Sequence, residues 1–404
     1  KKTTTVALCA GATALMALVP QTHAQTSVDA LLNKLEQKGI LTVDEAKNLK
    51  ADNAKDSVSD FNKELNAKFP MPDWVTGYKC SGDFRGRVDN QSSDNAAIVD
   101  NLRFRYRVRA GLAVMMKDGL EAGFRLGSGD GGPLSNNQTM SGNGSKKALY
   151  VDTAYGKWTA INNGTWMVAG TIGKMNEPLD VSAMVIDPDY TPEGAALQSV
   201  YKLNDQQSFR FNGAAFVLDN LGGSTRDPFM YAGQAFWDSK ISSHLGTTLG
   251  VSAFDIVNQG NLTHAYDGNT GNTIVGGTYA DHYNPIIVDG SATYKLDSFP
   301  LYHGAFPIKV AAEYMDNPAA KSSNEGWWAG FTLGKSGKQG NWDISYRYQR
   351  LEANAWWDQI VDDDNIAALP SSGTAAALHG GTNIKGHLVK FNYSITDALT
   401  FTTT

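Results

Sequence analysis

Short turns and long loops alternate along this chain, and that alternation limits its fold more than any other feature. From Trp74 onward, apolar and polar residues alternate with the period of two that is typical of β-strands. We predict fifteen strands, at about residues 75–89, 101–117, 119–129, 147–159, 164–175, 194–203, 208–219, 228–240, 243–257, 284–296, 306–316, 325–335, 341–353, 382–396 and 398–404.

The connections between these strands fall into two classes. Tight turns are predicted at 117–119, 204–207, 238–243, 336–340 and 396–397, and long loops at 130–146, 176–193, 258–283 and 354–381; the connection 297–305 is an exception. This alternation is typical of an all-β, transmembrane antiparallel β-barrel with periplasmic turns and external loops. Such barrels have an even number of strands, so we expect about sixteen, with the last one missing from this C-terminally truncated chain. A barrel of that size encloses an aqueous channel.

The composition narrows the class of protein further. The chain has 41 glycines, 10% aromatic residues and only 19% charged residues, which favours many strands with aromatic side chains near their ends. After Val19 no window approaches 18 apolar residues, so a helical membrane protein is excluded. The formal net charge of −6 argues against a nucleic-acid partner, which would call for a basic chain.

The first 72 residues differ in pattern from the rest. Two lysines, an apolar run over 6–19 and Thr22-His23-Ala24 predict a signal peptide at 1–24, because the run is shorter than the roughly 20 residues of a spanning helix. Residues 25–72 are predicted to be a periplasmic helical segment, with a capping box at 42–45 and heptad spacing from Ala51 to Leu65. This segment is either a solvated linker helix or a short coiled coil that assists trimer assembly. The barrel is predicted to occupy 73–404.

A basic face marks the second predicted strand. Its apolar series is Leu102, Phe104, Tyr106, Val108, Ala110, Leu112 and Val114, and it alternates with Arg103, Arg105, Arg107 and Arg109. Each arginine facing lipid at mid-bilayer would cost roughly 2–4 kcal/mol, so these four are predicted to line the lumen. Arg85 and Arg87 of the first strand and Arg125 of the third extend this stripe. Further lumen-side candidates are Arg210, Lys309, Arg347 and Lys390. The alternative is that the arginines are salt-bridged residues of the wall.

The long loop predicted at 176–193 is acidic, and it is the third external connection after those at about 90–100 and 130–146. It contains Glu177, Asp180, Asp187, Asp189 and Glu193 and no lysine or arginine. If it folds into the lumen, as the third loop of general-diffusion porins does, its carboxylates would face the arginines across a constriction. Opposed charges of this kind are a source of pore selectivity. An ordinary acidic surface loop is the alternative.

The sequence offers little support for catalysis or metal chemistry. No histidine lies with a serine in a recognisable catalytic motif, so we predict that the chain is not an enzyme and has no catalytic residues. Cys9 falls in the predicted leader, which leaves Cys80 as the one mature cysteine, and no His/Cys spacing indicates a metal. Asp362-Asp363-Asp364 could bind Ca²⁺ or bridge to lipopolysaccharide, but such a triplet is usually only solvated. We predict no metal and no cofactor.

Two segments carry a resemblance to a known family. The stretch from Leu31 to Ala46, LLNKLEQKGILTVDEA, and the later stretch from Asp187 to Gly194, DPDYTPEG, resemble the putative porin family of Gram-negative outer membranes. The helical opening is also similar to that of phosphate-selective porins. The resemblance implies an outer-membrane channel, a homotrimer, and no chemistry. It implies neither a substrate nor a selectivity.

These observations together predict passive diffusion of small hydrophilic solutes or ions through a wet lumen. An anion- or phosphate-selective channel is one alternative, and a structural outer-membrane anchor tethered to peptidoglycan is another. The expected partners are outer-membrane lipid, lipopolysaccharide and the solutes themselves. We expect the barrel in the bacterial outer membrane and the N-terminal segment in the periplasm.

Overall fold

The computed structural model describes residues 72–95, 98–223, 225–262, 270–365 and 381–404. The chain divides into two compact units, Lys1–Asp73 and Trp74–Thr404, and every described element belongs to the second. The predicted signal peptide at 1–24 and the predicted helical segment at 25–72, apart from Pro72, lie outside the described residues.

The described residues form eighteen strands. They are β1 (Val75–Gln91), β2 (Asn101–Met116), β3 (Leu120–Gly127), β4 (Gln138–Thr139), β5 (Tyr150–Asn162), β6 (Trp166–Lys174), β7 (Glu193–Lys202), β8 (Gln207–Val217), β9 (Phe229–Lys240), β10 (Leu245–Val257), β11 (Ile274–Val275), β12 (Thr278–Tyr279), β13 (Ile286–Leu296), β14 (Phe306–Asp316), β15 (Glu325–Gly334), β16 (Trp342–Leu351), β17 (Ile384–Ser394) and β18 (Thr400–Thr403). Fifteen of them correspond one to one to the predicted strands, with ends that differ by a few residues. The other three are the two-residue strands β4, β11 and β12.

Antiparallel pairing joins each long strand to the next along the chain, in the order β1-β2-β3-β5-β6-β7-β8-β9-β10-β13-β14-β15-β16-β17-β18. β4 adds to β2, and β11 pairs with β12 in a separate hairpin. The predicted all-β antiparallel meander is therefore confirmed. Four 3₁₀ turns lie between strands, at Lys117–Gly119, Gln259–Asn261, Asp358–Ile360 and Asp363–Asn365. In the described ranges, helices long and apolar enough to cross a bilayer are absent.

The prediction of a closed barrel needs correction. Closure requires the first and last strands of the meander to pair, and among the described strands no pairing joins β1 to β18. β18 has only four residues, and it pairs with β17 over Ser394 to Phe391. The sheet is open between these two edge strands.

The two faces of the sheet differ sharply in chemistry. The outer face is defined here as the face that carries Leu102 and Phe104, whose exposed fractions are 60% and 49%. Apolar side chains stay exposed on this face along the whole meander, including Ile172, Leu249, Val310 and Val389. A continuous exposed apolar surface is the hallmark of a membrane-facing wall. The inner face carries the alternate residues, including the arginines of β2.

Aromatic side chains cluster on the outer face at the ends of strands that lead into tight turns. Trp166 contacts Tyr201 with ring centroids 4.6 Å apart, and Phe209 stacks near Trp237 at 6.5 Å. Trp166, Trp237 and Trp158 are all more than one third exposed. This arrangement fits the predicted aromatic girdle, since amphipathic rings favour the headgroup level of a bilayer.

An apolar core lies on the inner face, at the ends of β8 to β16 that lead into long loops. Strands contribute fully buried Phe216, Met230, Ile256, Met315 and Leu351. The described parts of the connections at 175–192, 258–285 and 352–383 pack over them and supply Met184, Val185, Ile186, Tyr283, Trp356, Ile360 and Val361. The largest buried cluster of the described unit is therefore built by loops packed against the inside of the sheet.

Candidate functional site

The register of β1 and β2 places arginines directly opposite one another. Arg85 faces Arg107, and Arg87 faces Arg105. On either side of these pairs, Asp83 faces Arg109 and Asp89 faces Arg103. We call Arg85, Arg87, Arg103, Arg105, Arg107 and Arg109 the arginine cluster. Like charges directly opposite in an antiparallel pair are destabilising, so this arrangement needs nearby counter-charges.

Two aspartates of β1 supply part of that charge. One carboxylate oxygen of Asp83 accepts a hydrogen bond from Nε of Arg107 at 2.9 Å, and the other accepts one from Nε of Arg109 at 2.6 Å. Asp89 is buried and accepts from Arg87 and, at 3.3 Å, from Nη2 of Arg103. The alternating acids of β1 therefore orient the guanidinium groups of β2.

The connection between β3 and β5 also reaches the cluster. Nη2 of Arg85 donates to Oδ1 of Asn137 at 2.6 Å, and Nη2 of Arg105 donates to the carbonyl oxygen of Asn137 at 3.2 Å. Arg105 is only 6% exposed, and its Nε has no hydrogen-bond partner in the described part of the chain. Because a charged side chain is costly to bury, Arg105 belongs to the structure of the wall more than to its solvent-facing surface.

Arg125 stands apart from the arginine cluster. Its Nε hydrogen-bonds to Asp152 of β5, whose other carboxylate oxygen accepts from Asn136 at 3.1 Å. The predicted stripe of seven arginines is thus one cluster of six plus one paired neighbour. Each of the seven has an acidic partner within 4.0 Å, so the alternative of a salt-bridged wall describes part of this surface.

Loop 175–192, the connection between β6 and β7, contacts inner-face side chains of strands that are far apart in the sheet. The side chain of Gln234 of β9 binds the loop backbone through two hydrogen bonds. It donates to the carbonyl of Asp180 at 3.0 Å and accepts from the amide of Asp180 at 2.9 Å. Further along, Oγ of Ser182 donates to Glu313 of β14 at 2.6 Å. The loop ends against the arginines of β1 and β2. It therefore crosses the inner face of the sheet.

Asp189 is the loop residue that meets the arginine cluster. Its Oδ1 accepts from Nη1 of Arg107 at 2.9 Å and from Nη1 of Arg109 at 3.4 Å, and its Oδ2 lies 3.8 Å from Nη2 of Arg85. A second loop residue, Asp364, accepts from Nη1 of Arg87 at 2.6 Å. Among the described residues, the six guanidinium groups of the arginine cluster thus contact four carboxylates, those of Asp83, Asp89, Asp189 and Asp364.

The other four predicted loop carboxylates lie elsewhere. Asp180 pairs with Arg210 of β8 at 2.5 Å, and Glu193 pairs with Lys174 at 3.2 Å. Glu177 is half-buried, and burial of its carboxyl group raises the pKa to about 7. Asp187 is buried and lies beside Asp362. The structure therefore brings one of the five acids, Asp189, into contact with the predicted arginine stripe.

Three carboxylates from two loops converge at the centre of this region. One oxygen each from Asp187, Asp362 and Asp363 lies within 4.8 Å of the others. Burial, and then the negative charge of Asp362, raise the pKa of Asp187 well above its usual value; burial raises the pKa of Asp363 to about 7. A hard divalent cation takes oxygen ligands of this kind, so these residues could hold one. A shared proton between Asp187 and Asp362 relieves the same repulsion.

Asp364 behaves differently from its two neighbours in sequence. Burial by itself would raise its pKa, but the hydrogen bond and positive charge of Arg87 outweigh that effect, and the pKa of Asp364 lies below its usual value. Asp364 is thus an ionised partner of the arginine cluster. The sequence suggests that the aspartate triplet is solvated, but in the structure Asp362 and Asp363 converge on Asp187, and Asp364 forms an ion pair with Arg87.

A set of hydrogen bonds that the sequence did not predict joins three connections, those that contain Val185, Asn272 and Trp356. Trp356 is fully buried, and its Nε1 donates to the carbonyl of Val185 at 2.8 Å. Nδ2 of Asn272 donates to the carbonyls of Ala353 at 2.5 Å and Trp356 at 2.7 Å, and its Oδ1 accepts from the amide of Asp358 at 2.9 Å. The two adjacent tryptophans at 356 and 357 are a sequence signal that could have indicated this burial.

Open space remains on the inner face below the loops. A cavity of about 800 Å³ lies near the tight turns that follow β5, β7 and β9, and its wall includes Lys202, Asp238, Thr248, Ser291 and Thr293. These are inner-face side chains by register. The interior is thus apolar and filled near the long loops, and polar with open space near the turns.

One family and several solved structures are similar to this chain. Residues 94–281, which run through β2 to β12, match the family described as putative porin. Similar solved structures include OccAB4 of Acinetobacter baumannii, with 12% identity over 80% of this chain and 80% of that chain and a TM-score of 0.42. Another is the anion-selective porin from Comamonas acidovorans, with 13% identity over 78% of this chain and 99% of that chain and a TM-score of 0.37.

A third similar structure is OmpT, an outer membrane protein of Vibrio cholerae, with 11% identity over 78% of this chain and 94% of that chain and a TM-score of 0.37. No curated protein matches this sequence significantly. With the match over residues 94–281, the resemblance of this chain to the putative porin family is confirmed.

Proposed function

We propose that this chain is an outer-membrane porin, through which small hydrophilic solutes diffuse passively. The observation that carries this proposal is the contrast between the two faces of one antiparallel meander. The outer face exposes apolar side chains from end to end, while the inner face carries six clustered arginines and their acidic partners. Such a sheet suits lipid on one side and water on the other.

The cost of exposing arginine to lipid supports this orientation, in which the outer face meets lipid and the inner face meets water. Turning the sheet around would place six arginines toward lipid, at roughly 2–4 kcal/mol for each one at mid-bilayer depth. It would also place large outer-face side chains such as Phe84 and Ile172, which are 58% and 68% exposed, against water. The alternation of apolar and charged residues therefore favours a wet inner face.

Loop 175–192 is the natural candidate for the constriction of this pore. It crosses the inner face, and its Asp189 lies against the arginine cluster. The concentration of six arginines on one part of the inner face favours a weak preference for anions, because rings of fixed charge bias which ions pass. We therefore keep an anion- or phosphate-selective channel as the second candidate function.

The remaining parts of the proposal rest on the sequence. They are a signal peptide at 1–24, a periplasmic helical segment at 25–72, a homotrimer, and contact with outer-membrane lipid and lipopolysaccharide. A channel fits the family resemblance and the fold better than an enzyme does. A structural anchor tethered to peptidoglycan is the competing role for the N-terminal segment.

Planar-bilayer recording separates the channel from the anchor. The full chain is refolded in detergent and added to one side of a lipid bilayer in KCl. Stable, stepwise openings of nanosiemens size are the expected result, and a preparation that inserts without conducting would overturn the proposal. Reversal potentials in a KCl gradient, repeated with phosphate replacing chloride, then decide between general diffusion and phosphate selectivity.

A further inference from the structure

The side chain of Asp189 is held as a bound carboxylate would be. Its oxygens face Nη1 of Arg107 at 2.9 and 3.3 Å, Nη1 of Arg109 at 3.4 Å and Nη2 of Arg85 at 3.8 Å. Charge-assisted bonds from guanidinium to carboxylate are among the stronger polar contacts in proteins. The side chain of Asp189 is 15% exposed, so the contact lies at the edge of accessible space.

The sheet builds this site without help from the loop. Asp83 accepts the Nε hydrogens of Arg107 and Arg109, which orients both guanidinium groups and leaves their Nη1 atoms directed at Asp189. Asn137 fixes Arg85 in the same way, through Nε at 3.2 Å and Nη2 at 2.6 Å. The donors are therefore preorganised by residues that do not belong to loop 175–192.

The loop, in turn, does not depend on Asp189 for its position. Before Asp189, the amide of Asp187 donates to the carbonyl of Ile360 at 2.8 Å, and after it Nζ of Lys174 of β6 donates to the carbonyl of Thr191 at 2.9 Å. These bonds to the loop backbone, together with the Trp356 contact, hold the loop on either side of Asp189. The Asp189 side chain can therefore rotate away while the backbone stays in place.

We propose that Arg85, Arg107 and Arg109 form a carboxylate-binding site in the pore, which Asp189 occupies at rest and from which a solute carboxylate displaces it. This inference rests on the proposed function, since it names a solute class for that pore. A side chain tethered by a short segment competes at an effective concentration on the order of millimolar. Solute carboxylates therefore bind weakly and exchange quickly, as conduction requires.

The test measures block of chloride current by acetate in planar bilayers, using the full chain. In Asp189→Asn the tethered competitor is gone, and the acetate concentration for half block is expected to fall about tenfold or more relative to the parent chain. Asp189→Glu still carries a carboxylate and is expected to stay within about threefold of the parent chain. Adding Arg107→Gln to Asp189→Asn is expected to restore the high acetate requirement.

Asp397→Asn is the matched control, because it removes the same charge from an ion pair with Lys338 at 3.0 Å in the turn between β17 and β18. Equal acetate block in Asp189→Asn and Asp397→Asn would overturn the inference, as would block of Asp189→Asn by phosphate but not by acetate. Should Asp189→Asn fail to fold, Asp189→Ser provides the same comparison. Stepwise conductance in all variants, with acetate block unchanged, rejects the site alone, whereas loss of conductance in the parent chain rejects the proposed function.

Discussion

The inner face of the sheet holds loop 175–192 in two different ways. Toward β8–β16, the loop is packed against an apolar core in which Met184, Val185 and Trp356 are fully buried. Toward β1 and β2, it meets the arginine cluster through the partly exposed carboxylate of Asp189. We call the contact with the apolar core the dry side of the loop, because packing excludes water there. We call the contact of Asp189 with the arginine cluster the charged side, which is polar and partly exposed.

This difference separates anchoring from recognition. Burial of apolar surface is not weakened by charge screening, whereas charge pairs near the surface weaken as salt shortens the Debye length from about 10 Å at 0.1 M to 3 Å at 1 M. The apolar region can therefore fix the loop while the charged region responds to ions. The predictions below test that division, in order of decreasing expected effect.

Replacing Trp356 with alanine should break the dry side. Trp356 is fully buried in the core and donates to the carbonyl of Val185, so its truncation is expected to cost about 3–5 kcal/mol of local stability. Hydrogen exchange of the amides at Val185 and Ile186 should accelerate strongly. Trp237→Ala, an exposed tryptophan of the outer face, is the matched control. Unchanged exchange in Trp356→Ala would show that the loop is held elsewhere.

Raising the pH should loosen the same loop. Burial raises the pKa of Glu177 from its usual 4.5 to about 7. Between pH 4.5 and pH 7, the packed loop therefore binds more protons than a loop that has detached from the sheet. The stability of the packed loop therefore falls as pH rises from about 5 to 8, by about 2 kcal/mol from this group. Amide exchange in loop 175–192, measured at a series of pH values, checks the sign.

Glu177→Gln removes the titrating group and should flatten part of this pH dependence. The carboxyl groups of the buried Asp187 and the half-buried Asp363, whose pKa values are raised by burial, contribute with the same sign. Their contribution remains in the variant. A loop that becomes more protected as pH rises from 5 to 8 would contradict the assignment of protonated carboxyl groups in the packed state.

Neutralising two arginines should alter the charged side without disturbing the dry side. The double variant Arg105→Gln, Arg107→Gln removes two positive charges from the cluster, so the preference for anions should fall, by about 1 kcal/mol or less in the free energy of ion transfer and mainly through Arg107. Reversal potentials in a KCl gradient measure this. Arg125→Gln, whose arginine pairs with Asp152 outside the cluster, should change the potential less. Unchanged selectivity would remove the arginine cluster from the conducting path.

A change outside both regions should have the smallest effect. Lys338 and Asp397 form an exposed ion pair at the turns, with exposed fractions of 76% and 61%. Exposed pairs contribute about 0–1 kcal/mol, so Lys338→Ala should leave thermal unfolding and selectivity nearly unchanged. A large shift in either would mean that the turn end of the sheet takes part in gating, and the contrast between the two loop contacts would then be incomplete.

Much of the sheet could be predicted because its signals are local. In β2 the pleat alone sends Phe104 and Arg105 to opposite faces, so alternation identifies both the strand and its two surfaces. The lengths of the connections give the order of the meander for the same reason. Strand ends were less certain: β3 stops at Gly127 and the next long connection folds back, so that β4 pairs with the far part of β2.

The sequence by itself determined a many-stranded antiparallel sheet with one apolar face and an arginine-rich face, because a period of two depends only on neighbouring residues. The tertiary structure decided how the loops are used. Asp189 lies among three arginines, Asp187 beside Asp362, and Trp356 beneath Val185, although each pair is far apart in the chain. Such contacts depend on which surfaces meet after the sheet forms. The residues of a loop do not by themselves indicate which other segment of the chain they will contact.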